Sequence, residues 1–194
     1  MCQNGGICHS NNGECFCANG YQGSNCENKI LNSTIFKNST ILTDEQSIKL
    51  LNLMGFLLDT KLSLLYQASR DSFSSSSFHS KCDGINNTLT IIKTKYNNFI
   101  FGGFTNVQWD GQVNSFTYDS NAFLFSFVNA YNKSVRMNVN PFYAQLAIYS
   151  SYSSGPSFGR IYLPDNSNVN ECTSNIYPYN LPSFVPFKNS SSSL

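Results

Sequence analysis

Apolar and polar residues alternate in short runs along most of the chain, a pattern typical of β-strands rather than of long helices. The runs predict strands, in chain order, at Leu62–Tyr66, Asn87–Lys93, Asn98–Phe104, Phe123–Val128, Ser134–Asn138, Leu146–Ser150 and Phe158–Leu163. The second and third are predicted to form a hairpin across Tyr96-Asn97. Turn residues such as Asp110-Gly111 and Asn140-Pro141 separate the others. Many short strands with this punctuation predict a β-sandwich.

Two segments have helical signals instead. Thr43 can cap a helix, and Gln46, three residues later, can reach back to the cap. The apolar face of this helix would be formed by Ile48, Leu50, Leu51 and Met54, and the helix would end at Gly55 or Asp59. A second, shorter helix is predicted at Ser75–Lys81. The fold class predicted from these patterns is mainly β with minor α, a sandwich flanked by short helices.

Composition narrows the classes of partner. The 194 residues are enough for one sizeable domain besides a small module. The formal net charge is +1, so no large basic face is available for phosphates and nucleic acid is excluded as an expected partner. The longest mostly apolar run, Leu50–Leu58, is too short to span a bilayer. An unidentified protein is the partner class that remains.

Cysteine is concentrated at the start of the chain. Five of the 7 cysteines lie between Cys2 and Cys26, and the other two are Cys82 and Cys172. A segment this short cannot build a useful apolar core, so disulfides must hold it, and disulfides persist in oxidising compartments. Paired Cys-x2-Cys spacing is missing, so the sequence predicts no metal site.

The segments Cys2-Gln-Asn-Gly-Gly-Ile-Cys8 and Cys15-Phe-Cys17, with Gly20-Tyr21 before Cys26, resemble an EGF-like module over residues 1–27. Such modules have six cysteines, and here the first is missing. The resemblance implies the disulfides Cys2–Cys15 and Cys17–Cys26 and leaves Cys8 without its usual partner. An odd cysteine in a secreted chain indicates a fragment, an intermolecular bridge or a free thiol. Because no signal peptide precedes the module, we expect a fragment.

Residues 43–177 resemble a TLDc domain. The resemblance rests on Leu64–Phe73, Phe78–Gly84, Ile100–Thr105, Asn121–Ser126 and Gly155–Gly159, in the family's order and spacing. The family-motif residues are Ser69, Arg70, Asp71, His79, Cys82, Asp83, Gly84, Gly102, Gly103 and Phe104. Ser72 departs from the pattern because it stands where the family usually has Gly, and the family's closing strand is not recognisable after Tyr179.

The remaining segments are polar. Residues 28–42 are predicted to be a linker, and residues 178–194 a Pro/Ser-rich tail. Sequons for N-glycosylation occur at Asn32, Asn38, Asn86, Asn132 and Asn189. Within the motifs, adjacent Gly102 and Gly103 predict either a bulge or a close approach of the strand backbone to a neighbour. The motif phenylalanines Phe101, Phe104, Phe123 and Phe125 are expected in the sandwich core.

Catalytic candidates are few. His79 and Cys82, three apart on a predicted helix, could form an imidazole–thiolate pair, or could be a packed thiol and a helix-closing histidine. The packing interpretation is favoured because the chain has 2 histidines and the other, His9, lies in the cysteine module. Paired carboxylates are available at Asp71, Asp83, Asp110, Asp119 and Asp165, all in turn contexts. We therefore expect no catalytic residue and no cofactor.

Two functions follow as expectations. The first is a non-catalytic protein-interaction protein of the extracellular space or a secretory lumen, because the cysteine module requires oxidation. The second is implied by the TLDc resemblance, since that family is associated with protection against oxidative damage and with binding the vacuolar proton-pumping ATPase. Most of its members are intracellular, so the alternative places the chain in the cytoplasm.

Overall fold

The computed structural model describes residues 1–9, 13–18, 20–29, 36, 39–57, 60–167, 173–175 and 178–180. The chain divides into two compact units, Met1–Leu64 and Leu65–Leu194. In the part of the chain that is described, no helix is both long and apolar enough to cross a membrane.

The first unit begins with two small antiparallel ladders closed by disulfides. Strand β1 (Ile7–Cys8) pairs with β2 (Cys15–Phe16), and β3 (Tyr21–Gln22) pairs with β4 (Asn28–Lys29). Disulfides join Cys2 to Cys15 and Cys17 to Cys26, the two pairs that the EGF-like resemblance implies. Cys8 is a free, exposed thiol. With so few apolar side chains, these covalent links hold the ladders together.

Helix α1 (Asp44–Met54) belongs to the same unit and is the first predicted helix. Thr43 Oγ1 accepts from the Gln46 backbone N–H, and the Gln46 side chain accepts from Thr43 N, so the predicted capping box is confirmed. Gly55 ends the helix in the left-handed conformation, at φ 76°. The predicted apolar face is buried, at Ile48, Leu50, Leu51 and Met54.

The second unit is a β-sandwich with short helices, as the alternation pattern predicts. Its helices are α2 (Ala68–Asp71), α3 (Ser75–Cys82) and a 3₁₀ helix, Pro141–Leu146. Its strands are β5 (Thr88–Lys93), β6 (Ile100–Thr105), β7 (Ser115–Thr117), β8 (Phe123–Val128), β9 (Val135–Asn138), β10 (Ile148–Ser150), β11 (Ser157–Phe158), β12 (Arg160–Tyr162) and β13 (Thr173–Asn175). The predicted hairpin is confirmed as β5 and β6, with Thr88 opposite Thr105 and Lys93 opposite Ile100.

Two antiparallel sheets enclose the core. One has the order β5-β6-β8-β9 and the other β13-β12-β11-β10-β7. Leu124 and Met137 of the first sheet share a buried cluster with Ile148 and Phe158 of the second. Trp109 lies in that cluster, edge-on to Phe158, and its indole N–H donates to Thr88 Oγ1 at 2.8 Å. The one tryptophan therefore buries its ring in the core and has a hydrogen-bond acceptor for its indole N–H.

Two strand predictions are wrong. The structure describes Leu62–Tyr66, but this segment forms no strand, because its backbone pairs with no described strand. Its apolar pattern instead reflects the packing of Leu65 and Tyr66 against the core. Phe158–Leu163 is two strands rather than one. Gly159, at φ 58°, reverses the chain so that Phe158 pairs with Ile161. Alternation alone does not show where a strand turns back on itself.

The paired glycines in β6 face opposite sides of their sheet. A Cβ on Gly103 would meet the Phe158 ring of the other sheet at 2.8 Å, so Gly103 faces the core. A Cβ on Gly102 would run into the backbone carbonyl of Thr90 and lie 2.8 Å from the Phe125 ring. The predicted close approach is confirmed at both glycines.

The burial of the motif phenylalanines differs from the expectation. Phe123 and Phe125 are buried, but alternation along β8 places them on the opposite face from Leu124, which faces the core cluster. Phe101 and Phe104 are only half-buried, with Phe104 stacked on Phe123 at 5.2 Å. The core cluster between the sheets therefore contains none of these four phenylalanines. Alternation along a strand places neighbouring aromatic side chains on two different faces.

The chain after β13 returns to the sandwich. Tyr179 is buried, forms a bridge to Val139 and donates its hydroxyl to Ala147 O at 2.8 Å. Asn180 N donates to Asn138 O at 2.9 Å. Residues 178–180, which open the predicted tail, are thus bound to the sandwich. Residues 181–194 lie outside the described part of the chain, as do most of the predicted linker, Cys172 and the sequons Asn32, Asn38 and Asn189.

Candidate functional site

The first family motif forms a charged turn at α2. Arg70 Nε and Nη2 donate to the two carboxylate oxygens of Asp71, at 2.8 and 2.7 Å. Asp71 also accepts from Gln67 N at 2.9 Å, and Lys81 on α3 lies 3.8 Å away. The Arg70 hydrogen bonds, aided by the backbone donor of Gln67, hold the pKa of Asp71 well below its usual range. This motif therefore forms a single helical turn closed by an ion pair.

Ser72, which ends α2, has a backbone conformation that side chains rarely adopt. Its φ is 94° and its ψ is 148°, a region populated almost entirely by glycine. The position is held from both sides, since Tyr66 Oη donates to Ser72 O at 2.7 Å and Ser74 N donates to Ser72 Oγ at 3.2 Å. This geometry explains why the TLDc pattern has Gly here.

We expect Ser72→Gly to raise the free energy of unfolding by about 1 kcal/mol, because glycine removes most of the strain at this φ. Urea unfolding of both proteins checks the value. Ser72→Ala is the matched control: it keeps the strain, loses the bond to Ser74 N and should not stabilise. A neutral Ser72→Gly variant would mean that the strain is absent in solution.

Helix α3 is fastened at its N-terminus by two residues. Ser74 caps it by accepting from Ser77 N at 3.2 Å. Asp165, far along the chain, accepts from both the backbone N–H and the hydroxyl of Ser75, at 2.7 and 3.1 Å. A carboxylate at this end also interacts favourably with the helix dipole. The loop that carries Asp165 is thereby tied to α3.

The C-terminal end of α3 carries the main polar cluster of the sandwich, centred on buried His79. Nδ1 lies 2.7 Å from Asp83 Oδ1, and Nε2 lies 2.8 Å from Ser151 O and 2.9 Å from Ser154 O. The second oxygen of Asp83 accepts from Gly111 N at 3.0 Å. The two carbonyl oxygens can only accept, so Nε2 is the donor to them. The cluster ties α3 to two loops, those of Gly111 and of Ser151–Ser154.

Gly111 and Tyr152 enclose the imidazole from either side. A Cβ at Gly111 would come within 2.8 Å of His79 Nδ1, so this position has room only for glycine. The Tyr152 ring stacks on His79 at 6.2 Å with 15° between the planes. The ring thereby contacts two loops, and both of its nitrogens have hydrogen-bond partners within the protein.

Cys82 faces the apolar core. It is buried with Phe78 and Trp109, and burial raises the pKa of its thiol to about 11. Nearby Tyr66 has a pKa raised to about 12, by burial first and then by Cys82 and Asp71. At neutral pH the thiol stays protonated, and no described hydrogen bond joins it to His79. Of the two interpretations of this pair, the geometry supports the packed thiol and the structural histidine.

Sequence reasoning missed a second buried polar cluster, around Asp119. Its Oδ2 accepts from Thr105 Oγ1 and from Asn106 N, both at 2.8 Å, and its Oδ1 accepts from Asn121 N at 2.9 Å. Burial, with the Asp119 charge, raises the pKa of Tyr179 above its usual range. In the sequence, Thr105 is a strand threonine followed by turn residues. That pattern does not show that its partner is Asp119, fourteen positions later.

The five candidate aspartates share one role. Each accepts at least one backbone N–H: from Gln67 to Asp71, Gly111 to Asp83, Gln112 to Asp110, Asn106 and Asn121 to Asp119, and Ser75 to Asp165. These aspartates lie in turns, as their sequence contexts indicate, and their carboxylates accept the hydrogen bonds that close turns and cap helices. Within the described ranges, no group of three His, Cys, Asp or Glu side chains could hold a metal ion.

The motif residues thus meet in two places. His79, Cys82, Asp83 and Gly84 lie at the end of α3, where Gly84 N donates to Trp109 O at 3.0 Å, and Arg70 and Asp71 lie at α2, linked to α3 through Lys81. Gly102 and Gly103 are apart from both, in β6. Ser151, Ser154 and Gly111 complete the histidine cluster. The arrangement positions loops, and among the described motif residues no nucleophile lies together with a base and oxyanion donors.

A family model described as the TLDc domain matches residues 35–182, more than half of the chain. The match includes α1, α2, α3 and the strands of both sheets. No curated protein matches the chain significantly.

Proposed function

The chain belongs to the TLDc domain family, and we propose that it is a non-catalytic binding protein of the extracellular space or a secretory lumen. In this proposal an EGF-like module stands before a TLDc sandwich, and loops of the sandwich contact a protein partner. The partner's identity is not specified by any residue of the site.

The disulfides carry this proposal. Four cysteines within the first 26 residues are paired, and Cys26 is fully buried. The strands in this region are two residues long, too short to be stable as isolated ladders without covalent links. A reducing cytosol would open such bonds, whereas a secretory lumen maintains them. The pairing also supports the EGF-like assignment.

The chemistry of the sandwich supports the non-catalytic part. Both ring nitrogens of His79 have hydrogen-bond partners within the protein, the Cys82 thiol is buried and protonated, and the candidate aspartates accept hydrogen bonds in turns. These groups stabilise loops at the Gly111 and Ser151–Ser154 positions. A rigid sandwich that presents fixed loops is the usual form of a binding domain.

Glycosylation belongs to the same proposal. Of the five sequons, Asn86 and Asn132 lie in the described part, and both are exposed. Asn132, at φ 51°, is in the turn between β8 and β9, and Asn86 lies two residues before the start of β5. Glycans at these places would extend into solvent without displacing a core side chain.

We expect protein from its own cells to have Cys2, Cys15, Cys17 and Cys26 blocked and to shift in gel mobility after treatment with a glycan-removing amidase. Alkylation before reduction, followed by peptide mapping, measures the first. Exposed Cys8 should be alkylated in the native protein, and buried Cys82 only after unfolding.

Asn132→Gln and Asn86→Gln are the controls for the mobility shift, since each should reduce it by one glycan if that site is used. Cys17 found free, or paired outside the module, would contradict the pairing. A cytosolic protein with all cysteines alkylatable and no amidase shift would overturn the proposal.

That last outcome would favour the second candidate function, protection against oxidative damage in the cytoplasm. The TLDc match favours it, because the family is associated with that protection and with the vacuolar proton-pumping ATPase. A buried thiol with its pKa raised to about 11 reacts slowly with oxidants, so protection would depend on binding a partner rather than on Cys82.

A further inference from the structure

Strand β7 (Ser115–Thr117) is an open edge of the five-stranded sheet. Among the described strands it pairs with β10 alone, with Phe116 opposite Tyr149. Residues 112–116 and Tyr118 are all exposed. No described strand covers the other side of β7, which is the arrangement that accepts a further strand.

The direction of the backbone N–H and C=O groups along β7 indicates which of them could bond to a further strand. Asp119 N donates to Ala144 O, at the segment that leads into β10. Since the direction alternates along a strand, the N–H and C=O groups of Ser115 and Thr117 point toward β10, and those of Phe116 point away. The Phe116 and Tyr149 rings lie 5.0 Å apart, as expected for a close, non-hydrogen-bonded pair.

Aromatic side chains line the outer face of this edge. Phe116 is 42% exposed and Tyr118 is 60% exposed, and both lie on the face opposite core residue Ile148. Phe142, on the adjoining 3₁₀ helix, is 85% exposed. Exposed aromatics beside an open edge mark a surface for association, because monomeric proteins seldom leave such an edge unprotected.

Charge distinguishes this edge from those of the other sheet. Strands β5 and β9, at the edges of the four-stranded sheet, carry Lys93 and Arg136. Residues 111–118 and 141–154 contain no charged residue. The whole chain has a formal net charge of only +1, so two copies repel each other little. Charge repulsion therefore does not oppose the pairing of this edge with the same edge of a second copy.

We propose that β7 pairs antiparallel with β7 of a second copy of this chain, about a two-fold axis at Phe116. This register places Phe116 opposite its counterpart. Phe116 then supplies the outward backbone bonds, and the two Phe116 rings form a cross-strand aromatic pair. A two-fold dimer is the commonest form of self-association.

Sedimentation velocity of the full chain from a secretory host, over a range of concentrations, tests the proposal. All proteins carry Cys8→Ser, because exposed Cys8 could cross-link copies independently of β7. The parent should dimerise with increasing concentration. Phe116→Lys should weaken dimerisation by about tenfold or more, since it replaces an aromatic pair with a like-charge pair. Tyr131→Lys adds the same charge at an exposed turn far from β7 in sequence, and should leave the dimer intact.

Thermal unfolding shows whether each variant folds, and Tyr118→Lys is the second variant if Phe116→Lys does not. As an independent readout, amide exchange of residues 114–118 should slow as the parent protein is concentrated. A parent that stays monomeric at every concentration overturns the proposal. So does a dimer that both lysine variants leave unchanged, because its interface would lie elsewhere.

Discussion

Replacing His79 with alanine is expected to lower the free energy of unfolding by about 3 kcal/mol. The substitution removes the Nε2 partner of the carbonyls of Ser151 and Ser154, although Ser151 O keeps the Ser154 backbone N–H, and it removes the partner of Asp83 Oδ1. Asp83 is partly exposed, so water can replace some of what it loses. Urea unfolding, followed by tryptophan fluorescence, reports on this site directly because Trp109 packs against neighbouring Phe78.

His79→Gln is the conservative control, because its amide can still donate to the two carbonyls. It should recover part of the loss. Cys82→Ala should cost about 1 kcal/mol, as expected for a small buried side chain that makes no polar bond. A hydrolase or peroxidase activity that is lost in His79→Ala or Cys82→Ser, with unfolding unchanged, would show that this pair is catalytic.

The parts of the fold that the sequence predicted correctly depend on near neighbours. The capping box at Thr43 and the ends of α1 follow from residues within a turn of each other. The hairpin of β5 and β6 follows from two alternating runs and a short turn. These signals act over a few residues, so one sequence is enough to detect them.

The parts that were missed depend on distant partners. His79 meets Ser151 and Ser154, which are 72 and 75 positions away, and nothing near them in the sequence signals a histidine. Strand β7 is three residues long and becomes a strand only because β10 lies beside it. Asp165 looked like a turn residue, and its role as a cap for α3 appears only when the loop is in place.

Gly102→Ala is expected to destabilise the sandwich by about 3 kcal/mol. The new Cβ would run into the Thr90 carbonyl of the paired strand, which belongs to a backbone ladder and cannot rotate away. The Phe125 ring lies 2.8 Å away on the same side and is itself buried. Relief therefore requires β5 and β6 to separate, which breaks ladder hydrogen bonds.

Gly155→Ala is the matched control for this prediction. There a Cβ would meet the nearest atom, Leu163 Cβ, at 3.6 Å, which is ordinary contact. Its stability should stay within about 1 kcal/mol of the parent, because alanine reduces the entropy of the unfolded chain without a clash. Thermal unfolding of the two variants side by side gives the comparison. A stable Gly102→Ala protein would mean that the glycine pair of this motif is needed for something other than packing, and a partner lying against the strand would then be the explanation to test.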